Sequence, residues 1–372
     1  MTKIYFSVTN DLTGDQRVHR IITTLSKAGA DICLVGRKLK ESIPLDSRDY
    51  NTRRLVLIFS KGFLFYACFN VRLFLFLLTR KRIDILVAND LDTLPANFLV
   101  SRLRRIPLVY DSHEYFTEVP ELIGRESVKR IWLGIEKRIV PNLKFAYTVS
   151  HPIAKAYTDQ YGVNFEVIHN YPKRITRQID YKIPFNTGGD RILIYQGAVN
   201  VGRGLELLID VVCEMDHVKL LIAGDGDIRR SLEKEVRQRK MEEKIFFLGK
   251  IPFEQLQSLT LQAHAGISLE EDLGLNYRFA LPNKLFDYIQ AGIPVLVSSL
   301  PEMKKVVEKY KIGMIAEKRD KAYIAQMLQI LLFDEKQRTL WKSGMLKAAS
   351  DLCWENEEEK LIGIYRMAGA GI

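Results

Sequence analysis

Three segments of this 372-residue chain carry residue types whose spacing suits an anionic ligand. The first, Gly197-Ala-Val-Asn-Val-Gly-Arg-Gly204, follows a short apolar run and opens a helix-period segment. Gly197, Gly202 and Gly204 let backbone N–H groups come close to an anion, and the helix N-terminus adds positive potential. Arg203 stands at the helix entrance, where a guanidinium can pair with phosphate oxygens. The second segment, Leu221-Ile-Ala-Gly-Asp-Gly226, ends the next apolar run in glycines, Gly224 and Gly226. The third, Leu281-Pro-Asn-Lys-Leu-Phe-Asp287, begins a helix in which Pro282 restrains the entry, Asn283 can cap and Lys284 falls in the first turn. A cation there opposes the helix dipole. The placement makes sense if a strong anion, such as a diphosphate, shares that terminus. Asp287 follows about one turn on, where a carboxylate can accept hydrogen bonds from sugar hydroxyls.

These loops need a scaffold that repeats strand, loop and helix. Short apolar runs alternate with helix-period segments along the chain, the pattern of parallel sheets covered by helices. Strands are expected at Lys3–Thr9, Asp31–Gly36, Ile83–Ala88, Leu108–Asp111, Phe145–Val149 and Phe165–Ile168. The rhythm lapses at 173–189, where Pro184 and Gly188-Gly189 break it, and restarts at Arg191–Gln196. The expected division is a first doubly wound α/β domain over 1–172, a linker over 173–189 and a second such domain over 190–352. Residues 353–372 form a closing segment whose helix packs on the first domain. In such sheets ligands bind off the carboxyl ends of the strands, so the cleft between the domains is the expected site.

Taken in order, Tyr195-Gln-Gly…Gly-Arg-Gly204, Ile-Ala-Gly-Asp-Gly226, Phe-Leu-Gly249 and Pro-Asn-Lys-Leu-Phe-Asp-Tyr…Ala-Gly-Ile-Pro-Val295 resemble a family 4 retaining glycosyltransferase of the GT-B fold, in its Pro-Asn-Lys subgroup. The amino-terminal half is similar as well, through Asp11…Asp15-Gln-Arg-Val-His-Arg20, Asn89-Asp90 and Tyr110-Asp-Ser-His-Glu114. So is the close of the chain, Trp354-Glu-Asn-Glu with its helix to Met367. The resemblance implies two Rossmann-like domains facing across a cleft, and transfer of a sugar from a nucleotide-diphosphate sugar to an acceptor with retention. It implies that Arg203 and Lys284 hold the diphosphate without a metal, that Asp287 binds the nucleotide ribose and that His113 contacts the donor sugar. The nucleotide sugar is a co-substrate, and no cofactor is implied. Asp15, Arg17, Asn89, Asp90 and Glu114 fall on the acceptor side. Three positions depart from the family pattern: Ala198 replaces an arginine, Phe279 stands where the first of two paired carboxylates belongs, and Asp287 replaces a glutamate. Either Glu270, Glu271 or Asp272 substitutes for the missing carboxylate from a shifted loop, or backbone groups do the work.

Charge gives the acceptor side a character of its own. Residues 1–180 hold 28 Lys+Arg against 18 Asp+Glu, whereas the remainder is balanced, so the net charge of +10 belongs to the first half. No nucleic-acid signature accompanies it. Instead, Gly62–Thr79 is apolar at 14 of 18 positions and is flanked by Lys61 and by Arg80-Lys81-Arg82. Arg72 and Asn70 interrupt it, which disfavours a membrane span. Two readings follow for 61–82: a helix packed on a sheet, or a peripheral contact with anionic lipid. A lipid-linked or glycan acceptor at the cytosolic face of a membrane suits the second. Four cysteines without a C-x-x-C pair agree with a reducing cytoplasm. A catalytically silent binding protein of the same fold and a GT-B sugar-nucleotide epimerase are the alternatives.

Overall fold

The computed structural model describes residues 1–372 except 43, 46, 120, 121, 123, 176–180 and 280, so the centre of the expected linker lies outside the described residues. The chain divides into two compact units, residues 1–170 with 357–372 and residues 171–356.

In the first unit the elements are β1 (Lys3–Ser7), α1 (Gln16–Lys27), β2 (Asp31–Lys38), β3 (Asn51–Val56), α2 (Gly62–Leu78), β4 (Ile85–Asn89), α3 (Leu94–Arg104), β5 (Leu108–Ser112), α4 (Glu126–Ile139), β6 (Phe145–Thr148), α5 (His151–Tyr161) and β7 (Glu166–Val167). They build a seven-stranded parallel sheet in the order β3-β2-β1-β4-β5-β6-β7. The central strands carry consecutive apolar residues because helices cover both faces: Ile4 lies in register with Ile32 and Ile85, and all three are buried. Strand order reverses between β1 and β4, which makes the loops after these two strands the place for a ligand.

The second unit repeats the plan with β8 (Arg191–Gln196), α6 (Leu205–Glu214), β9 (Val218–Ala223), α7 (Arg229–Gln238), β10 (Ile245–Gly249), α8 (Phe253–Gln262), β11 (Ala265–Ser268), α9 (Leu275–Phe279), α10 (Asn283–Gln290), β12 (Val295–Ser298), α11 (Pro301–Tyr310), β13 (Gly313–Ala316), α12 (Lys321–Phe333) and α13 (Glu335–Asp351). Its six parallel strands run β10-β9-β8-β11-β12-β13, so the reversal falls between β8 and β11.

Residues 353–356 belong to the second unit and not to the closing tail. The Trp354 N–H donates to the Pro172 carbonyl at 2.9 Å, and Gln290 Nε2 donates to the carbonyls of Ala349 and Leu352. The tail proper is α14 (Glu358–Met367), which packs in the first unit against α1. Thr24 Oγ1 donates to Glu358 Oε1 at 2.8 Å, and Tyr365 stacks on Phe6 while its hydroxyl lies 3.2 Å from that of Tyr147.

Candidate active site

In the second unit the loops after β8 and β11 and the start of α10 meet around one carboxylate. Glu270 follows β11 and is 3% exposed. Its Oε2 accepts from Ser268 Oγ at 2.7 Å, and its backbone carbonyl accepts from Ser298 Oγ at 2.6 Å. Its Oε1 lies 2.8 Å from Lys284 Nζ and 3.9 Å from Arg203 Nη1. Burial by itself raises the Glu270 carboxyl, but Lys284, then Ser268 and Arg203, outweigh it and hold it below the usual carboxylate range. Lys284 is 7% exposed and its ammonium sits 3.9 Å over the Tyr195 ring. Arg203 is more open, stacked 5.1 Å over Tyr277, and its Nε is buried without a partner among the described residues. Two cations therefore flank one anion, an arrangement with positive charge to spare.

Of the three adjacent carboxylates, Glu270 is the one that turns toward Lys284 and Arg203. Glu271 turns outward to Arg319 at 3.0 Å, and Asp272 to Arg278 at 2.8 Å. Phe279 lies in α9 and supplies no charge.

The glycines divide by role. A side chain on Gly197 would meet Lys284 Cε at 3.5 Å, which places this loop beside the buried ammonium. Gly204 takes φ +75° at the start of α6, where a Cβ would fall 2.2 Å from the Leu269 carbonyl oxygen. At Gly224 a Cβ would fall 1.8 Å from the Gly197 carbonyl oxygen. Gly224 and Gly226 thus owe their bareness to the packing of one loop on another. Gly202 likewise lies against Leu273. Asn283 is the first residue of α10 and not its cap, which is Pro282. Asp287 does not join the Lys284–Glu270 pair; its Oδ2 accepts from Gln196 Nε2 at 2.6 Å.

In the first unit the ends of β4 and β5 form a second cluster, centred on His113. Its Nε2 lies 3.1 Å from Asp111 Oδ2 and its Nδ1 3.2 Å from Asp90 Oδ2, while Asp90 Oδ1 accepts from the His113 N–H at 2.8 Å. Burial lowers the imidazole's proton affinity, but Asp90 and Asp111 reverse that and hold it well above its ordinary range. Burial also raises the Asp111 carboxyl, yet Arg17 and His113 keep it ionised, held down to about 2. Asp90 goes the other way: burial, with Asp92 and Glu114 nearby, pushes it up to about 7 against the pull of His113. Asp90 holds a left-handed backbone at φ 59°, which aims both its oxygens at one residue.

Several acceptor-side assignments change here. Arg17 is 4% exposed and spends its guanidinium on Asp111, with Nη2–Oδ1 at 2.9 Å, and on the Ile168 carbonyl. It orients the carboxylate behind His113 and does not reach outward. Asp15 caps α1, accepting from the Val18 N–H at 3.0 Å and from Asn10 Nδ2 at 2.9 Å. Asn89 is buried at the end of β4 with its amide donating to the Ser7 carbonyl. Glu114 is exposed, and its backbone carbonyl accepts from Ser112 Oγ. Contrary to an expected absence of Asp-x-Asp, that spacing occurs at Asp90-Leu91-Asp92 and at Asp225-Gly226-Asp227. Asp92 Oδ2 is engaged by Thr9 Oγ1 at 2.6 Å, and among the described residues no group of three or more His, Cys, Asp or Glu side chains could hold a metal ion.

Family models match both halves of the chain. The family model described as Glycosyltransferase Family 4 matches residues 15–171, and that described as Glycosyl transferases group 1 matches residues 177–345. The chain belongs to the family 4-like GT-B glycosyltransferases. Among curated relatives, the uncharacterized glycosyltransferase MJ1607 of Methanocaldococcus jannaschii is 24% identical over 185 residues, covering 48% of this chain and 45% of that one. The chain thus spans under half of that relative's length. Among solved structures, sucrose-phosphate synthase from Thermosynechococcus elongatus superposes with a TM-score of 0.74 at 17% identity, over 99% of each chain. Anabaena Alr3699/HepE, in complex with UDP and glucose, gives 0.73 at 15% identity over 99% of this chain and 100% of its own. WaaG, described as a glycosyltransferase involved in lipopolysaccharide biosynthesis, gives 0.69 at 15% identity, again over 99% and 100%. At such identities these structures share the two-domain Rossmann-like fold with this glycosyltransferase.

Proposed function

We propose that this chain transfers a sugar from a nucleotide-diphosphate sugar to a glycan or lipid-linked acceptor at the cytosolic face of a membrane, in cell-surface polysaccharide or glycolipid synthesis. The observation that carries the reading is the pair of cations, Arg203 and Lys284, converging on the buried Glu270 carboxylate at the switch point of the second sheet. A departing diphosphate needs fixed positive charge, and these side chains supply it in a site that water reaches poorly. In the reaction the bond from the anomeric carbon to the diphosphate oxygen breaks, and a bond from the same carbon to an acceptor oxygen forms. The acceptor proton passes to the leaving diphosphate, so no protein base is required. That route proceeds with retention and without a metal.

His113 then acts as a cation. Both ring nitrogens face carboxylates, so it is poorly suited to take up a proton and serves as a fixed positive charge beside the end of β5. A contact of 61–82 with the membrane surface is part of the same reading, since no helix of the described residues is long and apolar enough to cross a membrane. The free thiols of Cys33, Cys68, Cys213 and Cys353 agree with a cytoplasmic setting.

The test is thermal stabilisation by a panel of UDP-, GDP- and CMP-sugars, since a ligand well above its dissociation constant raises stability by linkage. One of the panel raises the melting temperature, and Arg203→Ala or Lys284→Ala removes the rise. If no nucleotide sugar stabilises the chain, the transferase reading fails.

A further inference from the structure

The outward face of α2 is apolar from end to end. Its inner ridge, Phe65, Phe69, Leu73 and Leu77, is buried against the sheet. On the opposite side Phe63, Leu64, Val71, Leu75 and Leu78 are between 39% and 74% exposed. A surface helix of a water-bathed protein carries charged residues at such positions. Here the helix has a single charged side chain, Arg72, which stands toward β3.

Between α2 and β3 runs a groove of about 350 Å³. β3 is the outermost strand of the sheet, and it contributes Arg53, Arg54 and Val56; α2 contributes Arg72, Leu75 and Phe76. No carboxylate lines the groove. Arg54 is anchored through Nε to the Asp11 carbonyl at 2.7 Å. Arg53 and Arg72 make no hydrogen bond or ion pair with any described residue. More positive charge borders the helix: Lys61, Arg80 (over the Phe76 ring at 4.6 Å), Lys81 and Arg82, of which only Arg82 has an acidic partner among the described residues, Asp84. Three arginines line the groove with no carboxylate among the lining residues, which favours an anion there. The other lining residues, Leu55, Val56, Leu75 and Phe76, are apolar, and so is the adjoining helix face, which is the kind of surface that marks an interaction site.

One class of ligand joins a phosphate to hydrocarbon at this spacing, an anionic phospholipid within a bilayer. We infer that the β3–α2 groove seats the phosphate of such a lipid on Arg53, Arg54 and Arg72. The α2 helix lies in the plane of the interface, with Phe63, Leu64, Val71, Leu75 and Leu78 entering the acyl boundary. The inference rests on the membrane contact proposed above and gives it a site and a headgroup chemistry. It adds a strand that the apolar helix alone does not reveal.

The experiment is co-sedimentation of the full chain with vesicles of phosphatidylglycerol and phosphatidylcholine, against vesicles of phosphatidylcholine alone. Binding is expected only to the first, weakening with salt. Each basic residue near an anionic surface is worth about fivefold in partition, so Arg53→Gln with Arg72→Gln weakens binding about 25-fold. Val71→Gln with Leu75→Gln weakens it while leaving the charge intact. All four side chains are exposed, so both variants keep the wild-type melting temperature and its rise with a stabilising nucleotide sugar. That rise is the control: if it is absent while vesicles still bind, the transferase reading falls and the lipid seat stands. Equal binding by the arginine variant overturns the seat, as does equal binding to both vesicle types. It is also overturned if millimolar inorganic phosphate alone displaces the protein from vesicles, which marks a free-anion site. Conversion of a wild-type dimer to monomer by the Val71/Leu75 pair assigns the face to a second copy of the chain, with the same consequence.

Discussion

Lys284 Nζ lies 2.8 Å from Glu270 Oε1, with the Tyr195 ring closing its other side at 3.9 Å. An ion pair this deeply buried contributes little net stability as a pair but is costly to halve, because the survivor is left charged in a poorly solvated place. Glu270→Ala is therefore expected to cost about 3–5 kcal/mol in denaturant unfolding of the second unit, and Glu270→Ala with Lys284→Met to recover most of it. A double variant as unstable as the single one would mean that the loss comes from packing and not from charge.

The pH dependence of that unit follows from the same pair. The Glu270 carboxyl is held below its ordinary range, so its stabilisation is present above the unfolded-state value and is lost as pH falls through the folded one. Unfolding midpoints measured from pH 6 downward should drop below about pH 4.5, and Glu270→Gln should flatten that limb.

Asp90 gives the opposite slope. Its carboxyl is raised from 3.8 to about 7, so stability linked to it is full below pH 4 and declines as pH rises through 7. Asp90→Asn keeps the acceptor for the His113 N–H and tolerates the left-handed backbone. With no carboxyl left to titrate, the variant should lose the decline in stability of the first unit between pH 4 and pH 8. Thermal melts at the two pH values decide.

His113 is held protonated by Asp111 throughout, and by Asp90 where that carboxyl is ionised, so its own titration should leave no limb in the rate of transfer between pH 6 and 8. His113→Gln should lower kcat by about 10²-fold while nucleotide-sugar stabilisation persists. A wild-type rate that rises through pH 6.5 and becomes flat in the variant would make His113 a base after all.

Gly224 faces the Gly197 carbonyl so closely that Gly224→Ala must push two loops apart. A loss of on the order of 2–4 kcal/mol is expected in urea unfolding, together with loss of nucleotide-sugar stabilisation, since Gly197 borders Lys284.

The strands and helices that were legible in the sequence are those with a long apolar signal. β1, β4 and β5 are continuous runs because they are buried on both faces. β3 reads Asn-Thr-Arg-Arg-Leu-Val and has no such run, because an edge strand buries little; only Leu55 of its six residues is fully covered. α13 escaped for a related reason: its buried stripe is only Trp341, Met345 and Ala348, too narrow to stand out among its polar and basic residues. At the site, Arg203 and Lys284 were found because glycines and a proline surround them. Glu270 was one of three adjacent acids, and nothing local separates the acid that turns inward from the two that turn out. Arg17 was placed on the surface because its partner, Asp111, is 94 residues away, a pairing only the closed sheet creates.

The first unit is built from two stretches of chain, 1–170 and 357–372, with the whole second unit translated in between. Tyr147, and Phe6 before it, therefore wait for Tyr365, which is made 218 residues after Tyr147, roughly 10–45 s at ordinary elongation rates. During that interval the first sheet stands nearly complete on the ribosome with the place of α14 open, an apolar surface exposed to chaperones and to other nascent chains. Synthesis order thus makes the amino-terminal unit the last to be finished, and a chain stopped after residue 356 should yield a sound second unit attached to an unfinished first one.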